Sequence, residues 1–253
     1  MVVGVSLTTH ASSVIAAFAV LAILDVTACR MATSSIGARW FFLHALANAI
    51  ITVMCLGDIQ ITLGDPVMAF LPTVQESSWP TYFVMGLHLA HCCLPWYAAT
   101  LNAQDFFHHF AFAFSLAGLN LYFHWGPVCN FLNFFVCGVP GMVDYALLAM
   151  VKEGKVGRLD EKRVNSWINN WIRGPGCVVS AGFIYAGWAH GSMTHIPTPV
   201  VFVAIALIAA NGQYYSGRVI ANHAKCEAED KLQKKDWDHP HPSIRLFESI
   251  RIS

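Results

Sequence analysis

The chain has 253 residues, of which 56% are hydrophobic and only 12% charged, and an ordinary soluble domain carries about twice that charge. The composition is that of a membrane protein and excludes disordered, collagen-like and disulfide-stapled classes. Fifteen Lys plus Arg balance fifteen Asp plus Glu, so net charge offers nothing to a nucleic acid.

Residues 1–12 contain no Lys or Arg. They lack the basic n-region of a signal peptide and the arginines of a transit peptide, so the first apolar segment is expected to be retained. The eight cysteines form no CxxC pair, which reads as structural thiols in lipid and not as a zinc ribbon or redox motif.

A helix crossing the hydrocarbon needs about 20 mostly apolar residues. In chain order the candidates are 13–29, 40–64, 80–101, 108–125, 127–151, 176–193 and 197–217. The third contains His88, His91 and Pro95, and the fourth and fifth are joined through Gly126-Pro127 as a tight hairpin. The 151–176 linker has mixed charges with Trp167 and Trp171 four apart, a pattern for an amphipathic helix lying at the interface. Beyond span seven the helix is expected to continue through Lys235 and to break at Pro240 and Pro242. These elements predict an all-α polytopic membrane bundle of about seven transmembrane helices in residues 1–217, with a tail over 218–253.

Charge tests the count. With seven spans, Arg30 and Arg39, six basic residues between Lys152 and Arg173, and seven in the tail account for every Lys and Arg on one side. By the positive-inside rule that side, with the C-terminus, faces the cytosol or an organelle's matrix, and the N-terminus faces the lumen or outside. The expected location is the endoplasmic reticulum or an organellar membrane, mitochondrial inner or plastid.

Twelve histidines in so apolar a chain invite a catalytic or metal reading, since polar groups at membrane depth face an interior or a cavity. The HxxxH and HxxHH boxes of membrane di-iron enzymes are absent, and span seven has Gln213, Tyr214 and Tyr215 with no lysine for a retinal Schiff base. The leading candidate is Asp105-Phe106-Phe107-His108-His109 at the start of span four, where an imidazole can act as base or nucleophile and Asp105 can orient it. Adjacent rings point in different directions, so one is expected in the bundle and the other toward water or a neighbouring helix. His44, Asp144 with Tyr145, and Asp25 fall at the same level. His88 and His91, spaced i, i+3, are expected to hydrogen-bond Asn48 or Asn133, with no metal predicted.

Arg39-Trp40, His44-Ala45, Asn48 and Asp65-Pro66, followed by the Leu101–Asp105 turn and the His108-His109 pair, resemble the TLC domain of ceramide synthases and TLCD-like proteins over residues 39–150. Two features depart from that pattern: Gly86 to His88 replace an acidic position, and the lysine-aspartate signature is reduced to Asp105. The resemblance implies lipid binding, with acyl transfer from acyl-CoA by His108 or His109; on the basic side, Lys152, Lys155 and Arg158 are expected to meet its phosphates. Fatty-acid elongases are the second resemblance, implying a 3-ketoacyl-CoA synthase. Their HxxHH box needs a histidine where Asp105 stands. A third expectation is a non-catalytic subunit of a respiratory, ATP-synthase or photosynthetic complex, partnered by membrane lipids and other membrane subunits.

Overall fold

The structure, a computed structural model, describes residues 7–238, with side chains as far as Gln233; the expected break at Pro240 and Pro242 lies outside them. The described residues are helical, without strands, in seven long segments. We number them α1 (Leu7–Ala32), α2 (Ile36–Gly64), α3 (Trp79–Cys93), α4 (103–123), α5 (Val128–Lys152), α6 (158–189) and α7 (Thr198–Asp238). Four of them, α1, α2, α5 and α7, are each long and apolar enough to cross a membrane. The chain is thus a polytopic helical bundle in which seven is an approximate count of crossings.

Local chemistry sets the boundaries. The Ser35 hydroxyl accepts from Ala38 N at 3.2 Å and starts α2. Helix α3 stops at Leu94, in extended conformation, because a residue before proline is driven out of the α region; Pro95 then opens a separate turn, Pro95–Ala98. The expected 80–101 span is therefore shorter, 15 residues. At α4, Asn102 caps the helix and Asp105 bonds back to its backbone N–H, a reciprocal capping box. The expected interface helix at 151–176 does not lie apart: its residues from Arg158 onward form the first half of α6, which continues into span six and packs along the C-terminal half of α7.

Four helices contain π-helical segments: Asp25–Cys29 in α1, His109–Phe114 in α4, Phe134–Gly138 in α5 and Asn169–Arg173 in α6. Such bulges are frequent at functional sites. The last two precede Pro140 and Pro175, whose missing N–H interrupts the i→i−4 ladder.

Helix α2 packs chiefly on α5, α1 on α3 and α6 on α7. The α2–α5 approach depends on Gly141, where a Cβ would fall 2.4 Å from Asn48 Nδ2. One apolar cluster (Leu21, Leu43, Ile51, Phe83, Tyr97) binds α1, α2 and α3, and another (Phe70, Val128, Ile184, Val201, Ile208) binds α5, α6 and α7. At one end of the bundle, the basic face, Glu153 accepts from Ser34 N at 2.8 Å and Arg218 donates to Gln104 at 2.8 Å. The Ser34 backbone and hydroxyl donors hold Glu153 below the usual carboxylate range. At the other end His10 bonds Tyr82 at 2.8 Å, and Gly126 (φ 73°) turns the α4–α5 hairpin against the Ala69 carbonyl.

Candidate functional site

Between the two apolar clusters runs a cavity of about 200 Å³. Its longest wall is α5, where Val128, Leu132, Val136, Pro140 and Asp144 face it at every fourth residue, with Tyr145 at the basic end. Seventeen residues at 1.5 Å rise cover about 25 Å, most of the ~30 Å hydrocarbon thickness. A volume so small over such a length is one chain wide, below the ~300–1,000 Å³ of drug-sized sites.

Of the candidate residues, His44, His108 and Asp144 line this cavity together. His108 Nε2 lies 3.0 Å from His88 Nε2, His88 Nδ1 lies 2.7 Å from Val84 O, and Tyr215 OH lies 3.0 Å from His108 Nδ1. A carbonyl only accepts, so His88 Nδ1 carries its proton and, for neutral rings, His88 Nε2 is a lone pair. His108 Nε2–H therefore donates to His88, and Tyr215 O–H donates to His108 Nδ1. Helices α7, α4 and α3 thus fix one tautomer of each ring.

His109 is buried against α3, its ring 4.9 Å from that of His88 and 5.1 Å from that of His91, with Nδ1 3.5 Å from Cys92 Sγ. Of the two alternatives for the pair, His108 faces the cavity and His109 reaches a neighbouring helix, α3, not water. His91 Nε2 lies 3.5 Å from Thr100 Oγ1. Thus His88 and His91 find His108, the Val84 carbonyl and Thr100, in place of Asn48 or Asn133.

His44 is held edge-on by Trp40 (centroids 4.1 Å) and beside Tyr145 (4.2 Å). Its Nδ1 is buried without a hydrogen bond, the Trp40 carbonyl being within electrostatic reach only. Asp144 Oδ1 is likewise buried without a donor, and the Asp144 and Glu161 side chains face one another. Glu161 is also ion-paired to Lys162 at 2.8 Å.

Arg173 lines the cavity and is 8% exposed. Its Nε donates to Val136 O at 3.0 Å and its Nη2 to Asn211 Oδ1 at 2.6 Å, with the guanidinium 4.8 Å above the Tyr215 ring. By charge alone Arg173 belongs with the six basic residues of the 151–176 linker. Its neighbours hold the signal that was missed: Pro140, which frees the carbonyl four residues earlier, and Asn211 and Tyr215, one turn apart in an apolar span.

Other candidates sit elsewhere. The Asp105 carboxylate accepts from Asn102 N at 3.0 Å and Nδ2, so it caps α4 and hydrogen-bonds neither histidine; its expected orienting role is corrected. With Lys152 and His91 it lines a second pocket on the basic face, of about 250 Å³, separated from the cavity by Trp40. Lys155 is exposed outside both pockets, and Arg158 turns to Glu229 at 3.8 Å. Asp25 is fully buried and accepts from Arg39 Nε at 2.7 Å, Arg39 Nη2, Trp96 Nε1 at 3.1 Å and Tyr97 OH. It is a structural knot, not part of the cavity. Beyond the far end, Asp58 Oδ2 accepts from Asn130 Nδ2 at 2.6 Å and Ser77 N at 3.2 Å. Nearby, the Glu76 carboxyl oxygens are buried without a hydrogen-bond partner in standard geometry. Burial, reinforced by Asp58, pushes Glu76 well above the carboxylate range, with partial relief from Asn120.

Among the described residues no group of three or more His, Cys, Asp or Glu is set to hold a metal ion. Compared with known proteins, the chain matches no family model, no curated protein and no solved structure.

Proposed function

We propose that this protein takes a single acyl chain between its membrane helices and transfers an acyl group from acyl-CoA to a nucleophilic lipid acceptor, with the Tyr215–His108–His88 string as base. The observation that carries the reading is His108 in the wall of a one-chain-wide cavity, with both ring nitrogens committed to fixed partners. An acceptor X–H gives its proton to the Tyr215 oxygen as the Tyr215 proton passes to His108 Nδ1 and the His108 Nε2 proton passes to His88. The X lone pair attacks the thioester carbonyl, the C–S bond breaks, and the CoA thiolate takes the proton back along the string. Such positioned proton transfer contributes about 10²–10⁴-fold. Lys152, beside the basic-face pocket, supplies a cation for a CoA phosphate.

The test is the purified protein with its bound lipids, beside His108→Ala and His109→Ala. Acyl transfer lost in the first and retained in the second supports the reading; activity and lipid content unchanged in both removes it. The basic face is read as cytosolic or matrix-facing. Cys226 is buried, so trypsin cleavage at exposed Lys231 in sealed vesicles of known sidedness is the readout.

A second reading is a non-catalytic subunit of an organellar membrane complex. It is favoured by the paired α6 and α7 extensions on the basic face and by exposed Trp167, Trp171 and Leu232. Native electrophoresis in mild detergent separates the two: migration as a monomer or dimer argues against the subunit.

A further inference from the structure

A buried ion survives at membrane depth only when its charge is answered. Glu161 is paired with Lys162 at 2.8 Å and not with Arg173. Arg173 forms no ion pair within 4.0 Å; its partners are a neutral carbonyl, a neutral amide and the face of Tyr215. It stands as a cation with no counter-ion within 4.0 Å on the cavity wall. Of its five guanidinium N–H groups, two are used, and the other three have no partner among the described residues. Two parallel N–H groups are what a carboxylate or phosphate takes in bidentate fashion.

The position is suited to a head group. Arg173 meets α5 at Val136, and the wall beyond it toward Val128, with Leu132, Ile184 and Ile208, is mostly apolar, interrupted by Asn133, Asn120 and Thr81. On the other side stand the polar His44, Asp144 and Tyr145. We infer that Arg173 anchors the anionic head group, a carboxylate or phosphate monoester, of a single-chain amphiphile whose tail runs along α5 toward Trp125. This rests on the reading that the cavity holds an acyl chain, and adds that the resident molecule is anionic at its head.

The test is binding of radiolabelled myristate to the full-length protein in detergent, competed by myristyl phosphate, methyl myristate and myristyl alcohol, with direct binding of radiolabelled myristyl alcohol as the companion measurement. The anions should compete at least about tenfold better than the neutral ester and alcohol, the size expected of hydrogen bonds to a charged group. The order of myristate and myristyl phosphate separates a carboxylate from a phosphate source. Arg173→Gln should bring all four within about twofold while myristyl alcohol still binds. Equal competition by acid and ester in the wild type overturns the anionic anchor and leaves the acyl-chain reading standing, and it needs no variant to fold. Absence of saturable binding by both acid and alcohol overturns that reading and the anchor with it.

Discussion

Arg173 Nε donates, at 3.0 Å, to the carbonyl of Val136, the group that an ordinary residue at position 140 would occupy with its own N–H. Pro140 has none, so a break in one helix becomes the socket for a cation on another. The two sites should therefore be energetically coupled. A double-mutant cycle of Pro140→Ala and Arg173→Gln, followed by thermal unfolding, should depart from additivity by about 0.5–3 kcal/mol. Additive effects would show that the carbonyl is not the anchor.

Tyr215→Phe removes the donor that settles His108. The vacated Nδ1 should cost about 1 kcal/mol, and the ring should sample both tautomers. Nitrogen-15 chemical shifts of labelled histidine read this directly: one tautomer in the wild type, a mixture in the variant. An unchanged spectrum would break the string at its first bond.

Asp25 holds two helices through Arg39 and both aromatic residues of the Pro95–Ala98 turn. Asp25→Ala strands a buried guanidinium, and the expected loss is about 3–5 kcal/mol. Asp105→Ala, which removes a capping partner on the surface, should cost only about 0.5–2 kcal/mol. Denaturation of the two variants side by side tests that order, and the reverse order would return Asp105 to the site.

Glu76, in the loop between α2 and α3, is held protonated by burial and Asp58. Its folded-state value lies above the ordinary ~4.3 of an unfolded glutamate. In the window above that value the folded chain binds the extra proton, so the contribution of Glu76 to stability falls as pH rises. As pH rises above the ordinary glutamate range, the wild type should lose thermal stability relative to Glu76→Gln. Parallel curves would show that Glu76 titrates normally.

Much was legible in the sequence. Apolar runs of spanning length, Gly126-Pro127 and the one-sided basic residues predicted the helices, and α5 matches its expected span almost to the residue. His44, His108 and Asp144 were picked as polar groups at one level, and they do share a cavity. The start of a helix near Asp105 was legible because helix entry is set by local chemistry. Local signals also misled: Trp167 and Trp171 at helical spacing described a real helix but could not say that it runs on into span six.

The direction of each side chain across the bundle was decided by the tertiary structure alone. In a helix that is apolar on every side, periodicity does not mark the inward face, because lipid and core accept the same residues. So Arg173 reads as one more basic residue near a membrane surface until α5 and α7 supply Val136 O and Asn211. Likewise Tyr215 is an aromatic residue in an apolar span until α3 and α4 bring His88 and His108 to it. The sequence alone determined that costly polar groups lie at membrane depth; which of them satisfy one another depends on helix packing, because their partners are 20 to more than 100 residues away along the chain.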